Sequence, residues 1–471
     1  MAAAPVSRAL ADFAAGARFD ALPTDVRHAT TRAVLDWLGS ALAGALEPPA
    51  VMARHVVRLL GTSDDAGVFA GHRSSAAGAA LANGVASHVL ELDDVHKGST
   101  LHAAAPVIPA ALAVAEREHA TGRDFLLAVA VGYDVALRVG EAVNPSHYAF
   151  WHPTGTAATF GAAAAAGSLL RLDAAQMLDA LGTAGTQAAG LWEFNADGAM
   201  SKALHPGKAA FNGVLAADLA RRGFTGATRI LEGERGFFRA TAASHDPTRV
   251  TESLGSRWKI LENCYKLHSC CGHTHTAIDV ALEHRAAHGW SGADALDRLE
   301  RVEVETYAQG YEIVKAPDPA TPYQAKFSLA FCVAAALLEG EVGLGQFTPE
   351  RFAASGVVDP AIAALLQRVH VRVAPDVTDR YPAEWGTRVT FMHADRTHTQ
   401  RAAAFPRGNP ENPVSTRALG DKLRALVEPR YDAATADRAI AIVDALDGVD
   451  DMADAFVGLA PARDAGEFAR S

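Results

Sequence analysis

Acids, lysines and histidines crowd into five short segments whose surroundings are small and apolar. In the first, Glu91, Asp93 and Asp94 precede His96, Lys97 and His102. Three carboxylates and two histidines at the end of a helical run can supply a general base, a general acid or metal ligands; the segment also reads as a solvated, capped helix end. In the second, Trp151-His152-Pro153-Thr154-Gly155-Thr156 opens a helix. Its free N–H groups and positive dipole end suit a carboxylate ligand, although a capping turn with an incidental histidine has the same signature. In the third, Lys202, His205 and Lys208 introduce an otherwise apolar helix. Lysines so placed bind anions or act as bases when desolvated, or are ordinary solvated charges. The fourth, Tyr265-Lys266-Leu267-His268-Ser269-Cys270-Cys271-Gly272-His273-Thr274-His275, invites a metal. It lacks a C-x-x-C pair, however, and His273 and His275, two apart, would not share a helix face. An organic active-site role fits it better. The fifth comprises Thr321-Pro322-Tyr323-Gln324-Ala325-Lys326-Phe327-Ser328, a helix entrance, and Pro406-Arg407-Gly408-Asn409-Pro410-Glu411-Asn412-Pro413, a loop before the Ser415 cap. Architecture alone would account for both.

The elements that must hold these residues are mostly helices. The chain has 471 residues, 49% hydrophobic and only 7% aromatic, with much of the apolar content in alanine. Helical spacing appears over 24–43, 76–90, 107–119, 125–139, 156–170 and 174–191. Alanine favours helix and lets helices approach closely, so these strings predict buried helix–helix contacts. After about residue 263 the pattern changes. Residues 299–307 (LERVEVETY), 369–373 (VHVRV) and 387–392 (TRVTFM) read as strands, interleaved with helices over 274–288 and 326–340. Helices resume at 415–426 and 433–446. The expected fold is mainly α with an α+β second domain: helical to residue 264, mixed over 265–400, and helical again over 401–471.

Charge and composition exclude several classes. Lys and Arg number 43 against 54 Asp and Glu, a net charge of −11, which argues against a nucleic-acid binder. No signal-like start or lipid-facing run is present, and four cysteines do not make a disulfide framework, so a soluble cytoplasmic protein is the expectation. Dinucleotide, P-loop, G-x-S-x-G and H-E-x-x-H signatures are absent.

Together the segments resemble the MmgE/PrpD family, which includes 2-methylcitrate dehydratase, cis-aconitate decarboxylase and iminodisuccinate epimerase. The resemblance rests on E-L-D-D-x-H followed by His102, W-H-P-T-G-T, S-K-x-L-H-P-G-K-A-A, Lys266/Cys271/His275, P-T-x-x-x-A-K-F-S and P-R-G-N-P-E-N-P, in that order. It implies a large all-helical domain closed by the C-terminal tail, a smaller α+β lid domain, a homodimer, and no metal or other cofactor. It also implies proton movement beside a carboxylate of a small anionic polycarboxylate. The catalytic residues would then be Asp93, His102, His152, Lys202 and Lys266, with Glu91, Cys271 and His275 in substrate binding. In these roles the lysines hold carboxylates, the histidines exchange protons and Asp93 orients a histidine. Two departures stand out. The acid-to-histidine stretch is one residue longer than in the decarboxylases, with Val95 where they tend to carry threonine. The run from Cys270 to His275 is also richer in histidine than in the dehydratases. The leading expectation is a 2-methylcitrate dehydratase-like hydro-lyase, with an epimerase or a decarboxylase as alternatives.

Overall fold

The structure, a computed structural model, describes residues 5–292, 294–456 and 458–459. The chain divides into two compact units. The first takes the chain up to Val89, Asp93–Asn263 and the stretch from Ser415 onward; the second takes Leu90–Leu92 and Cys264–Val414.

Among the described residues, the first unit is built from nine principal helices and two C-terminal ones. They are α1 (Val6–Gly16), α2 (Thr24–Gly44), α3 (Pro48–Leu60), α4 (Ala76–His88), α5 (Ala104–Arg117), α6 (Gly122–Val143), α7 (Ala157–Leu169), α8 (Ala174–Gly185) and α9 (Ser201–Arg221). Helices Thr416–Val427 and Ala433–Asp444 then pack back on α2. The alanine strings do what their small size allows: α7 is buried along almost its whole length and packs against α5, α6 and α9. The α4–α9 crossing is closer still. A Cβ on Gly84 would lie 2.7 Å from the Gly207 Cα, a backbone atom that cannot turn aside. This crossing carries the start of α9, and with it Lys202 and His205, close to the end of α4.

Two expected boundaries shift. The run forecast over 174–191 stops at Gly185, short of the loop that follows. The helix forecast from residue 326 is two pieces, Pro322–Lys326 and Leu329–Glu339, because the Ser328 side chain caps a new start.

In the second unit, strands β1 (Leu299–Thr306), β2 (Val369–Val373), β3 (Thr387–His393) and β4 (His398–Ala403) form one sheet in the order β4-β3-β1-β2. β1 and β2 are parallel, whereas β3 is antiparallel to both β1 and β4. Helices α10 (His275–Ala287) and α11 (Leu329–Glu339) contribute much of the apolar core on which the sheet packs. The unit runs on past residue 400, which falls inside β4, and its last loop is tied in where the Tyr265 N–H donates to the Gly408 carbonyl (3.0 Å). A large helical part with a smaller α+β part is thus the observed architecture. No helix among the described residues is long and apolar enough to cross a membrane.

Candidate active site

Four helix ends of the first unit bring together groups that are far apart in sequence. His88 is the last residue of α4, His102 lies just before α5, His152 sits in the turn before α7, and Lys202 and His205 lie in the first turns of α9. Pro206, inside α9, has no N–H to offer the Lys202 carbonyl, a local gap in the helix ladder.

Asp93 lies between two imidazoles. His88 Nδ1 donates to Asp93 Oδ2 at 2.6 Å, both side chains being fully buried, and His102 Nδ1 lies 3.6 Å from the same oxygen. His102 Nδ1 also donates to the Asp94 carbonyl at 2.5 Å. A carbonyl only accepts, so Nδ1 carries the hydrogen, and in the neutral ring the lone pair is on Nε2. The His102 backbone N–H is held by Thr154 Oγ1 (3.1 Å), which fixes the ring to the turn that bears His152.

His152 and His205 face each other through Nδ1 atoms 3.1 Å apart, so one donates and the other accepts. Burial pushes His152 well below the usual imidazole range, with His205, Lys202, His88 and His102 adding. Burial likewise takes His205 down to about 4, helped by His88, Lys202 and Lys208. The pair is neutral near pH 7 and can pass a proton between its rings. Ring centroids of His88 and His102 are 4.9 Å apart and those of His102 and His152 6.1 Å apart, so the array is contiguous.

Asp94 straps the loop to its neighbours. It accepts the Tyr133 hydroxyl at 2.7 Å and the Ala104 N–H, at the start of α5, at 3.1 Å. Burial pushes its carboxyl up to about 7, with Asp93 adding to the rise and the two hydrogen bonds opposing it. Below about pH 4 the folded and unfolded chains both hold this proton. Between there and about pH 7 the unfolded chain releases it while the folded chain keeps it, so this contribution to stability falls as pH rises and is gone above about 7. Asp94→Asn should therefore gain thermal stability relative to the parent across that window. Parallel melting-temperature curves against pH would refute the assignment.

The second unit holds the remaining expected residues. The Lys266 ammonium is buried and lies 3.5 Å from Glu91 Oε2. Lys326 Nζ donates to the Leu90 carbonyl at 2.8 Å, and Ser269 Oγ to the same oxygen at 2.9 Å, which anchors the strand of chain bearing Glu91. The Cys271 N–H donates to the Lys326 carbonyl at 3.0 Å. Burial, with Glu91 and Cys271 adding, raises the Tyr323 hydroxyl above its usual range, so it stays protonated. His275 opens α10, with Nε2 3.3 Å from the Cys270 carbonyl and its ring 5.0 Å from that of His268.

The structure thus gathers Asp93, His102, His152 and Lys202 in one unit and Glu91, Lys266 and Cys271 in the other, with His275 at the head of α10. His88 and Tyr133 carry no signal of their place here in the sequence. His88 looks like any helix-ending residue, and Tyr133 lies in the middle of an apolar helix. His88, Asp93 and His102 have the spacing for a metal ion, and within that trio His88 Nδ1 already donates to Asp93 Oδ2. His96, Glu141 and Glu262 also cluster, and there Lys259 supplies the cation, 2.9 Å from Glu141.

Residues 8–250 match the family model of the MmgE/PrpD N-terminal domain, and residues 268–448 that of the MmgE/PrpD C-terminal domain. Among curated proteins, the chain is 27% identical to the cis-aconitate decarboxylase-like protein oryM of Aspergillus oryzae, over 87% of this chain and 88% of the relative. It is 28% identical to the cis-aconitate decarboxylase of Aspergillus terreus (73% and 74% covered) and 29% identical to that of Homo sapiens (79% and 77%).

Proposed function

The chain belongs to the MmgE/PrpD family, and from that premise we propose that it is a lyase that moves a proton at a carbon beside a carboxylate of a small polycarboxylate. The observation that carries this reading is the buried proton-transfer array, with His102 oriented through Nδ1 by the Asp94 carbonyl and flanked by Asp93. A hydrogen beside a carboxylate is weakly acidic, so its removal needs a positioned base and positive charge where the enolate develops. His102 Nε2 is the base. Asp93 supports the charge its ring acquires. Lys202 and Lys266 hold substrate carboxylates, and Glu91, Cys271 and His275 shape the binding set. Local positive charge attracts an anion even to a chain of net charge −11.

The leading reaction is dehydration of a hydroxy tricarboxylate of the 2-methylcitrate type. The C–H bond breaks toward His102, its electron pair forms the alkene as the C–O bond breaks, and the protonated His102 passes its proton to the departing hydroxide, which leaves as water. The names of the relatives favour a second reading, decarboxylation of a cis-aconitate-like acid. In that case the C–C bond breaks, CO2 leaves, the bond's electron pair remains as an enolate-like carbanion, and His102, having taken a proton from solvent, gives it to the carbon. Neither route calls on a metal or organic cofactor, and the working form is a homodimer in the cytoplasm.

A panel of di- and tricarboxylates followed by proton NMR in D2O, with CO2 measured in parallel, tests this. Alkene formation without CO2 identifies the dehydratase, and CO2 release identifies the decarboxylase. Deuterium exchange with inversion, without alkene or CO2, would replace the lyase by an epimerase. Absence of turnover across the panel would overturn the reading altogether.

A further inference from the structure

Three histidines of the second unit, none of them used above, converge. His284 lies in the last turn of α10 and His288 just beyond its end; being four apart, they share a face. His393 closes β3. One ligand atom from each lies within 4.8 Å of the others, and the ring centroids of His284 are 4.3 Å from His288 and 5.4 Å from His393.

The His284 ring is completely buried, yet neither of its nitrogens has a hydrogen-bond partner. Burying a polar ring without a partner is costly, and native structures seldom do it without a reason. The ring is held in place by packing instead: it stacks on Phe391 at 3.7 Å, nearly parallel, and meets the edge of Trp290 at 5.0 Å. The other two rings are oriented by hydrogen bonds. His288 Nδ1 donates to the His284 carbonyl at 2.9 Å, which leaves the lone pair on Nε2. His393 Nε2 lies 3.2 Å from Thr399 Oγ1, which leaves Nδ1 for the trio. Contacts of this kind orient metal-ligating imidazoles.

The surrounding charges fit a cation held by neutral rings. Burial, with His288, His393 and Arg401 adding, keeps His284 down at about 3. His393 is lowered by burial and by His288, with Asp395 acting in the opposite direction. The carboxyl-terminal end of α10 contributes negative dipole potential. Arg401 opposes a positive charge at His284, whereas Asp395 favours one at His393.

We propose that His284, His288 and His393 form a binding site for one divalent transition-metal ion of the zinc type, with water completing the coordination. An all-nitrogen donor set selects Zn2+, Co2+, Ni2+ or Cu2+ over the oxygen-seeking Ca2+ and Mg2+. Tetrahedral zinc with bonds of about 2.0–2.1 Å brings its nitrogens to about 3.3 Å of one another, a small closure for the exposed His288 side chain. The site would clamp the end of α10 to β3, stabilising the second unit independently of the reaction.

The test uses the full chain stripped with EDTA and titrated with Zn2+ by calorimetry, and with Co2+ by visible absorption. One tight equivalent is expected, with the d–d bands of four-coordinate Co2+ and a rise in melting temperature on adding Zn2+. His288→Ala, an exposed position, and His393→Asn should each weaken binding about tenfold or more and abolish the thermal gain. The proposal is overturned if the parent binds no Zn2+. It is equally overturned if both variants bind as tightly as the parent, which would place the ion elsewhere, for example at His88, Asp93 and His102.

Discussion

His102→Asn is expected to lower turnover by about 10²- to 10⁴-fold, the range of a lost general base, while leaving the melting temperature near that of the parent. Asparagine is the informative replacement because its amide nitrogen stands where Nδ1 stood. It can keep the hydrogen bond to the Asp94 carbonyl, 2.5 Å from the ring nitrogen, and delete only Nε2. A loss confined to kcat, with KM little changed, would mark an interaction made at the transition state and not in binding. The limb of the pH–rate profile that reports the base should disappear as well. Near-normal turnover would remove His102 from the mechanism and shift attention to the facing His152 and His205 rings. Asp93→Asn probes the same unit from behind. It keeps the shape beside His88 and His102 but removes the charge that supports a protonated ring, and in comparable triads that change alone is severe.

The architecture was legible because it is periodic. Alanine strings spaced for helix became α4, α5 and α7, and LERVEVETY became β1, since apolar residues facing one way are what a core requires. The edge strand β4 was not legible. His398-Thr399-Gln400-Arg401-Ala402-Ala403 lacks an apolar alternation and is held by its ladder to β3, a pairing set by the hairpin turn and not by side-chain type. The site divides along the same line. His102, His152 and Lys202 stand out as polar residues at helix starts, but nothing in the spacing says that four helix ends meet. That follows from the close α4–α9 approach at Gly84 and Gly207, a tertiary fact. The i,i+4 pair His284 and His288 was in the sequence, whereas its third member comes from strand β3, about a hundred residues on. Asp94 was visible as one acid among three. Its distinct behaviour arises from burial beside Asp93 and Tyr133, which no local pattern encodes.

Lys266→Met is expected to reduce kcat/KM by about 10²- to 10³-fold, the scale of removing one partner from a buried charge pair. Methionine keeps most of the stem and deletes the ammonium. Two explanations compete for such a loss. Either Lys266 holds a substrate carboxylate, or it only neutralises Glu91, whose carboxylate lies 3.5 Å away in a buried setting. A double variant separates them. In Lys266→Met combined with Glu91→Gln, no uncompensated charge remains, so a chain that needed Lys266 only for Glu91 should regain stability and turnover together. A chain that needs the ammonium for substrate should regain stability alone, with kcat/KM still low and a non-reacting tricarboxylate still binding weakly by calorimetry. Lys266→Arg adds a further discrimination. A guanidinium restores the charge but is larger and planar, and a pocket shaped for the compact ammonium does not accept the exchange as conservative. The expected order of kcat/KM is parent, then Lys266→Arg, then Lys266→Met and the double variant together. Recovery of turnover in the double variant would confine Lys266 to a structural role and leave Lys202 as the carboxylate anchor.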